Sequence, residues 1–387
     1  MLDRRFLLPV LVFAMAFAVY NVEEDRRMGV NLPSPPALVG PLAVNNVLAH
    51  AERLLEGQVT GPESIVIDGD ALYTTSQDGR IVKVVGDKIV KEYRISSERQ
   101  GDALDREHIR GRPLGMRKLP GPEARLLVTD AHLGVFEVDM DRGTHKIILD
   151  ASKPVGGARP RFLNDVEILN DDEILVTDSS TKYDRRDFMR EVVESGPYGR
   201  VIHHCLSTGQ SRVLLDGLHF ANGIQILPDR RSFIVAELTR SRLTRYWLEG
   251  PKAGSSEPFA ENLPGIVDNV RLSKNGTLWV GLASVRYAGL FTWLEWMSNK
   301  PFVRKAILKT IPPSLLPPIV FRLLPHHAII VELDLTGKIV SSLHDLKGLR
   351  IKSVSEVADS GEFLYLGSFD APYLARVRKA TTQPWMQ

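Results

Sequence analysis

The chain of 387 residues carries 49 lysines and arginines against 47 aspartates and glutamates, a formal charge of +2 with both signs mixed throughout. That balance gives no electrostatic footprint for nucleic acid. Cys205 is the single cysteine, which excludes an intrachain disulfide and a thiolate metal cluster.

Arg4 and Arg5 precede an apolar run over residues 6–20 broken only by Pro9, and Glu23, Glu24 and Asp25 follow it. The run is short for a spanning helix, which wants about 20 residues, and long for the core of a secretory leader. The alternating small residues Ala14, Ala16 and Ala18 suit cleavage, whereas long flanking side chains suit an uncleaved signal-anchor over residues 6–22. Basic residues before the run and acidic ones after it place the amino end in the cytosol. Either way the remainder is expected outside the cytosol, in the second case as a single-pass type II protein of the plasma membrane or secretory pathway. Residues 1–22 are then a cytosolic stub and anchor, and the proline-rich, aperiodic residues 23–50 a stalk. Residues 51–56 are placed to supply an outer strand that closes the last repeat.

From there on one phrase recurs, most clearly as Phe162-Leu-Asn-Asp-Val, Phe220-Ala-Asn-Gly-Ile and Val267-Asp-Asn-Val. Each copy sets a short oxygen-bearing side chain ahead of an apolar run, then a turn, then a second apolar run, which reads as a strand pair with a polar residue at its mouth. Weaker copies surround Glu63, Gly115 and Ser355. The steps between leading residues Glu63, Gly115, Asn164, Asn222, Asn269 and Ser355 are 52, 49, 58, 47 and 86 residues. Four-stranded propeller blades need roughly 40–50 residues each, so the long step carries an insertion. The spacing predicts an all-β, six-bladed propeller over residues 51–380 with a helical insertion, residues 286–327, between blades five and six. In that fold the first strand of each blade lines the central channel, so residues at its mouth converge although distant in sequence.

Within the repeats, the charged loop of residues 181–189 is positioned to roof one end of the channel, because functional residues concentrate on loops held by rigid scaffolds. His203 and His204 alternate across a strand and read as structural, as does Cys205 as a buried bland thiol. Asn275-Gly-Thr277 is a glycosylation sequon in a turn between two blade strands. The insertion has aromatic and aliphatic residues at helical spacing with mostly basic charges (Lys300, Arg304, Lys305, Lys309, Arg322). It reads first as a lid packed on the propeller and second as an amphipathic helix lying on an anionic membrane.

The convergent residues Glu63, Asn164, Asn222, Asp268 and Asn269 offer carboxylate and amide oxygens without sulfur or imidazole, a set that selects a hard cation. Five side chains spread around a wide ring suit calcium better than magnesium's octahedron. Two carboxylates balance the ion and leave room for an ester or lactone carbonyl, so metal-assisted hydrolysis is the natural reaction class. Asp268 is the candidate base. Taken singly, Asn222-Gly223 is an ordinary hairpin signal; it is the shared phase of three asparagines that points to a site. The competing reading is a membrane-tethered binding or scaffold protein whose calcium only staples the channel.

These motifs, with Gly61-Pro-Glu-Ser-Ile and Leu278-Trp-Val-Gly, resemble the calcium-binding motifs of the six-bladed paraoxonase and strictosidine-synthase-like superfamily. The resemblance implies an esterase-like propeller of a membrane glycoprotein. It also exposes departures. Ser355 stands where strictosidine synthase has its basic glutamate, so that condensation is not expected. Leu114 and Ala131 stand at the positions of the paraoxonase histidine pair, with His132 one residue off the second, where a bulge would be needed to aim it. Ser64 replaces the aspartate of a second, structural calcium, although Asp165 is retained.

Overall fold

Alternating apolar residues at strand period, punctuated by turns, cannot bury both faces of a single hairpin, and this chain solves the problem by stacking six four-stranded antiparallel sheets in a ring. The computed structural model describes residues 28–98 and 106–379. The first, innermost strands are Ile65–Asp68, Pro113–Lys118, Leu163–Ile168, Ala221–Ile226, Gly265–Leu272 and Glu356–Asp359. Five sheets are built from consecutive strands. The sixth takes its outermost strand, Glu52–Leu54, from the start of the propeller, paired antiparallel with Leu374–Arg378, so the ring is closed by joining its two ends. The core lies in the seams between blades, for example Leu127, Leu163, Val166, Ile174 and Ile202 between the second and third.

The helical excursion lies inside blade five, not between blades five and six. It leaves after Leu278–Val285, returns at Ala328–Leu333, and carries the helices Trp293–Trp296, Pro301–Thr310 and Leu316–Leu323. The spacing of leading residues measures only from one inner strand to the next, so it could not say which loop held the extra chain. Residues 28–50 also differ from a free stalk. Proline-rich backbone has no internal hydrogen bonds, and here the propeller supplies them: Arg286 donates to Pro33 O (2.6 Å), Asn262 to Ser34 O (3.0 Å) and Ser342 to Pro41 O (2.7 Å). Leu48 is fully buried. The expected signal-anchor falls in residues outside those described; among the described residues no helix is long and apolar enough to cross a membrane.

Blade contacts are close enough to dictate glycine. A Cβ on Gly367 would stand 2.4 Å from Pro62 O, across the seam between the last and first blades, and one on Gly115 would stand 2.4 Å from Asp165 Oδ1. Neither seam can widen without separating backbones.

One end of the channel is roofed by the helix Phe188–Glu194, which follows the charged loop of blade three, and by the blade-five helices packed against it. Phe188, Met189, Val192, Ile307, Leu316, Val320 and Phe321 join Leu114, Phe162 and Phe220 in one apolar cluster. The insertion is therefore a lid on the propeller. Inside the roof, Glu191 is fully buried, accepts one hydrogen bond from Ser180 Oγ (2.6 Å), and is pushed by burial up to about 8.

Two expectations follow from this packing. Gly367→Ala should cost about 1–3 kcal/mol through overpacking at the closing seam, read as a lower melting temperature. Because the carboxyl of Glu191 is raised in the folded state, its contribution to stability is full below the ordinary carboxylate range and is lost as pH rises toward about 8. Glu191→Gln should accordingly stabilise the protein more at pH 8 than at pH 5, and a melting-temperature difference that is flat across that interval would refute the assignment.

Candidate metal centre at the channel mouth

The recurring phrase is a β-bulge. In blades two to five the register between the first and second strands slips at the same place, between Pro113 and Met116, Leu163 and Val166, Ala221 and Ile224, and Val267 and Val270. The extra residue re-aims a side chain that a regular strand would turn into a seam, so Asn164, Asn222 and Asp268 face the axis. Asn222-Gly223 is thus inside an inner strand and not a hairpin turn; Gly223 is needed because its Cβ would stand 2.5 Å from Asn269 Cα in the next blade. The disrupted ladder is repaired locally. Asp165 N donates to Thr177 Oγ1 (2.8 Å), Asn269 N to Ser355 O (2.9 Å) and, just ahead of blade one, Ser64 N to Thr75 Oγ1 (3.3 Å).

Glu63, Asn164, Asn222 and Asp268 line one cavity of about 80 Å³ beneath the lid. Asn269 lies beside Gly223 in the adjoining seam and is not part of that wall. Asn164 donates its amide nitrogen to Ser179 Oγ (3.1 Å), and Ser179 in turn donates to Ala221 O (2.7 Å), which fixes the amide's orientation. Asn222 hydrogen-bonds Asp268.

Most telling are the oxygens left over: Asn222 Oδ1, Asp268 Oδ1 and Asn269 Oδ1 are buried and, among the described residues, have no hydrogen-bond partner. Buried polar atoms are nearly always satisfied, so the orphaned acceptors of Asn222 and Asp268, two residues lining the same cavity, favour a cation there. The electrostatics agree. Burial, then the charges of Glu63 and Glu356, push Asp268 well above the usual carboxylate range; burial also raises Glu63 despite Arg112, whose Nη2 is 3.5 Å from Glu63 Oε2. No cluster of three His, Cys, Asp or Glu occurs among the described residues; the donors here are two carboxylates and amide oxygens, which fit calcium's preference for hard, flexible coordination.

One layer deeper the channel neutralises its acids differently. Asp165 accepts from Arg271 Nη1 (2.7 Å), Arg117 Nη1 (3.3 Å) and Ile224 N (2.9 Å), and Arg271 Nε also reaches Glu356 (2.7 Å). Burial alone would raise Asp165, but the two guanidiniums outweigh it and hold the carboxyl low. Asp165 therefore has its counter-charges from the protein, although Ser64 replaces the acid expected beside it.

The cavity wall is otherwise apolar. Leu114 lines it, and Ala131 is buried in the same apolar cluster. His132 points elsewhere, with Nε2 3.6 Å from Glu107 Oε2, and does not line the cavity. Arg185, which lies over the Phe188 ring at 4.5 Å, brings a buried cation into the wall; among the described residues its Nη1 has no partner. Sequence reasoning missed Arg185 and the acids that hold the loops leading into the bulges. Asp178 Oδ1 accepts from Phe162 N (3.0 Å), and Glu237 Oε2 accepts from His219 N (3.1 Å). Their signal was present as the acidic residue ending the second strands of blades two, three and four, Asp130, Asp178 and Glu237.

Elsewhere, Asn275 is exposed in the turn following Gly265–Leu272, at the end of the propeller away from the lid. His203 bonds Glu173 (2.8 Å) and His204 bonds Ser211 (2.8 Å), while Cys205 is half-buried against Asp172.

Comparison with known proteins places this architecture. Residues 164–251 match the family Strictosidine synthase, and residues 40–84 match Strictosidine synthase-like, N-terminal. The adipocyte plasma membrane-associated protein of Gallus gallus is 39% identical over 349 residues, 90% of this chain and 82% of the relative. Among solved structures, a gluconolactonase from Xanthomonas campestris superposes with a TM-score of 0.54 at 13% identity, covering 92% of this chain and 99% of that one. A calcium-binding protein, regucalcin, from Agrobacterium tumefaciens superposes at 0.52 and 11%, covering 84% and 92%. At such identities the structures share the fold, whereas the sequence relationship over nine-tenths of the chain is direct: the protein belongs to the adipocyte plasma membrane-associated protein family, within the strictosidine synthase-like group.

Proposed function

We propose that the protein is a membrane-anchored, extracytosolic, calcium-dependent hydrolase of esters or lactones. The observation that carries this reading is the pair of orphaned oxygens on Asn222 and Asp268, in the cavity that the buried carboxylate of Glu63 also lines. The gluconolactonase and the calcium-binding regucalcin with the same fold support the reaction class and the ion, and the family name supports a membrane location. Residues 6–22 are the proposed anchor, and the insertion of residues 286–327 lies against the same lipid surface. Asn275 is the proposed glycosylation site.

Glu63, Asn164, Asn222 and Asp268 would hold the ion; Asn269, the fifth ligand expected from the sequence, lies in the adjoining seam. Calcium bound there supplies polarisation of the substrate carbonyl and stabilisation of the oxyanion that develops on it. The chain's own residues do the rest. Leu114, Phe162, Phe220 and Phe321 exclude bulk water from the cavity. Arg185 supplies hydrogen-bond donors for a second oxygen of the substrate. Among the described residues no histidine lines the cavity, so Asp268, which the ion's charge would return to the carboxylate form, is the proton acceptor: water adds to the carbonyl carbon, its proton passes to the Asp268 carboxylate, the acyl–oxygen bond breaks, and the alcohol oxygen leaves with that proton.

Apolar Leu114 and Ala131 favour a second reading, in which calcium only staples the channel. Two measurements separate the readings. Phenyl acetate should be hydrolysed slowly, since a well-placed base ordinarily supplies about 10²–10⁴-fold, and both EDTA and Asp268→Ala should remove at least nine-tenths of that rate; a rate indifferent to both overturns the hydrolase. Calcium at about a hundred times its Kd should add about 2.7 kcal/mol of stability, visible as a higher melting temperature that Glu63→Gln abolishes. Calcium-dependent melting without any esterase rate selects the staple.

A further inference from the structure

Behind the lid a second, larger cavity adjoins the first. It encloses about 510 Å³, within the range of dedicated small-molecule sites, and shares Val192, Ile266, Ser284, Leu294, Val320 and Leu324 with the cavity of the oxygen cluster. Its remaining wall is mostly hydrocarbon, with Val303, Ala306, Ile307 and Ile311 contributed by the helix Pro301–Thr310 and its C-terminal flank. The charged groups at its edge are committed to one another or to backbone: Arg286 Nε bonds Glu295 Oε2 (2.7 Å), and Arg304 bonds Val193 O (2.7 Å) and Met297 O (2.8 Å). None is left to recognise a polar ligand, so the chamber selects against one, because burying an unpaired polar group is costly.

The chamber has a mouth. Trp293, Trp296, Ile319 and Leu323 line it and are also 46, 41, 40 and 49% exposed. Phe291, Phe302 and Leu315 extend the same surface, so every aromatic among the exposed large hydrophobic residues of the described chain lies on this lid. Lys300 stacks over Trp296 at 4.9 Å, and Lys305 and Lys309 follow on the same helix, the mix of aromatic and basic side chains that suits a lipid–water interface. The chain itself points the same way. Leu32 forms part of the chamber wall, and Gly29 and Val30 are pinned to Glu194 and Ser298, so the eight residue steps from Tyr20 to Met28 let the end of the apolar run lie no more than about 28 Å from Met28, which is itself tied to the lid.

We propose that this chamber binds the long acyl chain of a lipid-like ester or lactone, which enters from the membrane surface through the aromatic mouth and presents its carbonyl to the Glu63, Asn222 and Asp268 cavity. That the ligand is a substrate rests on the hydrolase reading; that the chamber holds an acyl chain does not.

The test uses the full chain held in amphipol, with amphipol alone as background, and a fluorescent dodecanoic acid below its micelle concentration. Saturable binding is expected in both EDTA and calcium, displaced by dodecanoate and not by butyrate. Ile307→Trp should weaken it at least about tenfold while the melting temperature holds; should that variant melt low, Val303→Trp plugs the same space from the preceding turn. In parallel, kcat/KM for p-nitrophenyl esters should rise about threefold per added methylene from acetate to decanoate, and the plug should flatten that rise while leaving acetate unchanged. Absence of saturable binding, or binding indifferent to both plugs, overturns the chamber even if acetate is hydrolysed. Binding that the plugs abolish, with no ester turned over, upholds the chamber and removes the hydrolase instead.

Discussion

A single extra residue at the mouth of four inner strands, those of blades two to five, governs what the centre of this ring contains. A regular strand would send Asn164, Asn222 and Asp268 alternately inward and into the seams; the bulges in blades two to five turn the chosen side chain of each blade to the axis. The distortion leaves backbone groups without ladder partners, and these are met by Thr177, by the Thr75 hydroxyl that donates to Leu114 O, and by the Ser355 carbonyl of the neighbouring blade. It also presses blades together until only glycine fits, as at Gly115 and Gly223. The cluster is therefore built by the same contacts that close the ring, and it cannot relax by moving one blade.

The axis shows two solutions to one problem. Carboxylates taken out of water must be paired or protonated. Lower in the channel, Asp165 and Glu356 are met by Arg117 and Arg271, fixed cations that also fill the space between blades. At the mouth, Glu63 has only a long contact to Arg112, and Asp268 has Asn222. Arg185 enters the wall of the same cavity, yet among the described residues the side-chain oxygens of Asn222 and Asn269 have no donor. Arg185 stacks on Phe188 and leaves the cavity open; the proposed exchangeable ion would neutralise Glu63 and Asp268 and leave coordination positions for a ligand.

The distinction between what the sequence reveals and what it conceals follows sequence separation. Blade number, the closing strand at residues 52–54 and the convergence of Glu63, Asn164, Asn222 and Asp268 were legible because each depends on a motif repeated at one phase, and phase survives in a linear string. The location of the insertion inside blade five was not, because Ala328–Leu333 resembles any other apolar strand and nothing local marks it as the third of its blade. Arg185, and the packing of Phe321 between Phe188 and Phe369 (6.2 and 5.9 Å between centroids), join segments far apart in the chain without any periodic signature. His132 illustrates the same limit: one position from a recognised motif, it is turned by the Asp130 loop toward Glu107, a partner with no repeat relationship to it.

Under the proposed acyl chamber the two readings of the lid are compatible. Burying apolar surface on the propeller requires only one face of each helix, and Leu316 and Ala306 supply it. If roofing were the whole task, the opposite face would be expected to carry charge, as exposed helix faces do. Here it carries Trp293, Trp296, Ile319 and Leu323, which also line a chamber that the inner face does not fill. A lid packed only for stability would have collapsed onto that space, since every unfilled volume in a core forfeits contacts. Keeping it open while exposing aromatics at its mouth makes sense for a surface that is dry when in use, on which the helices are covered by lipid and the chamber by a chain drawn from it.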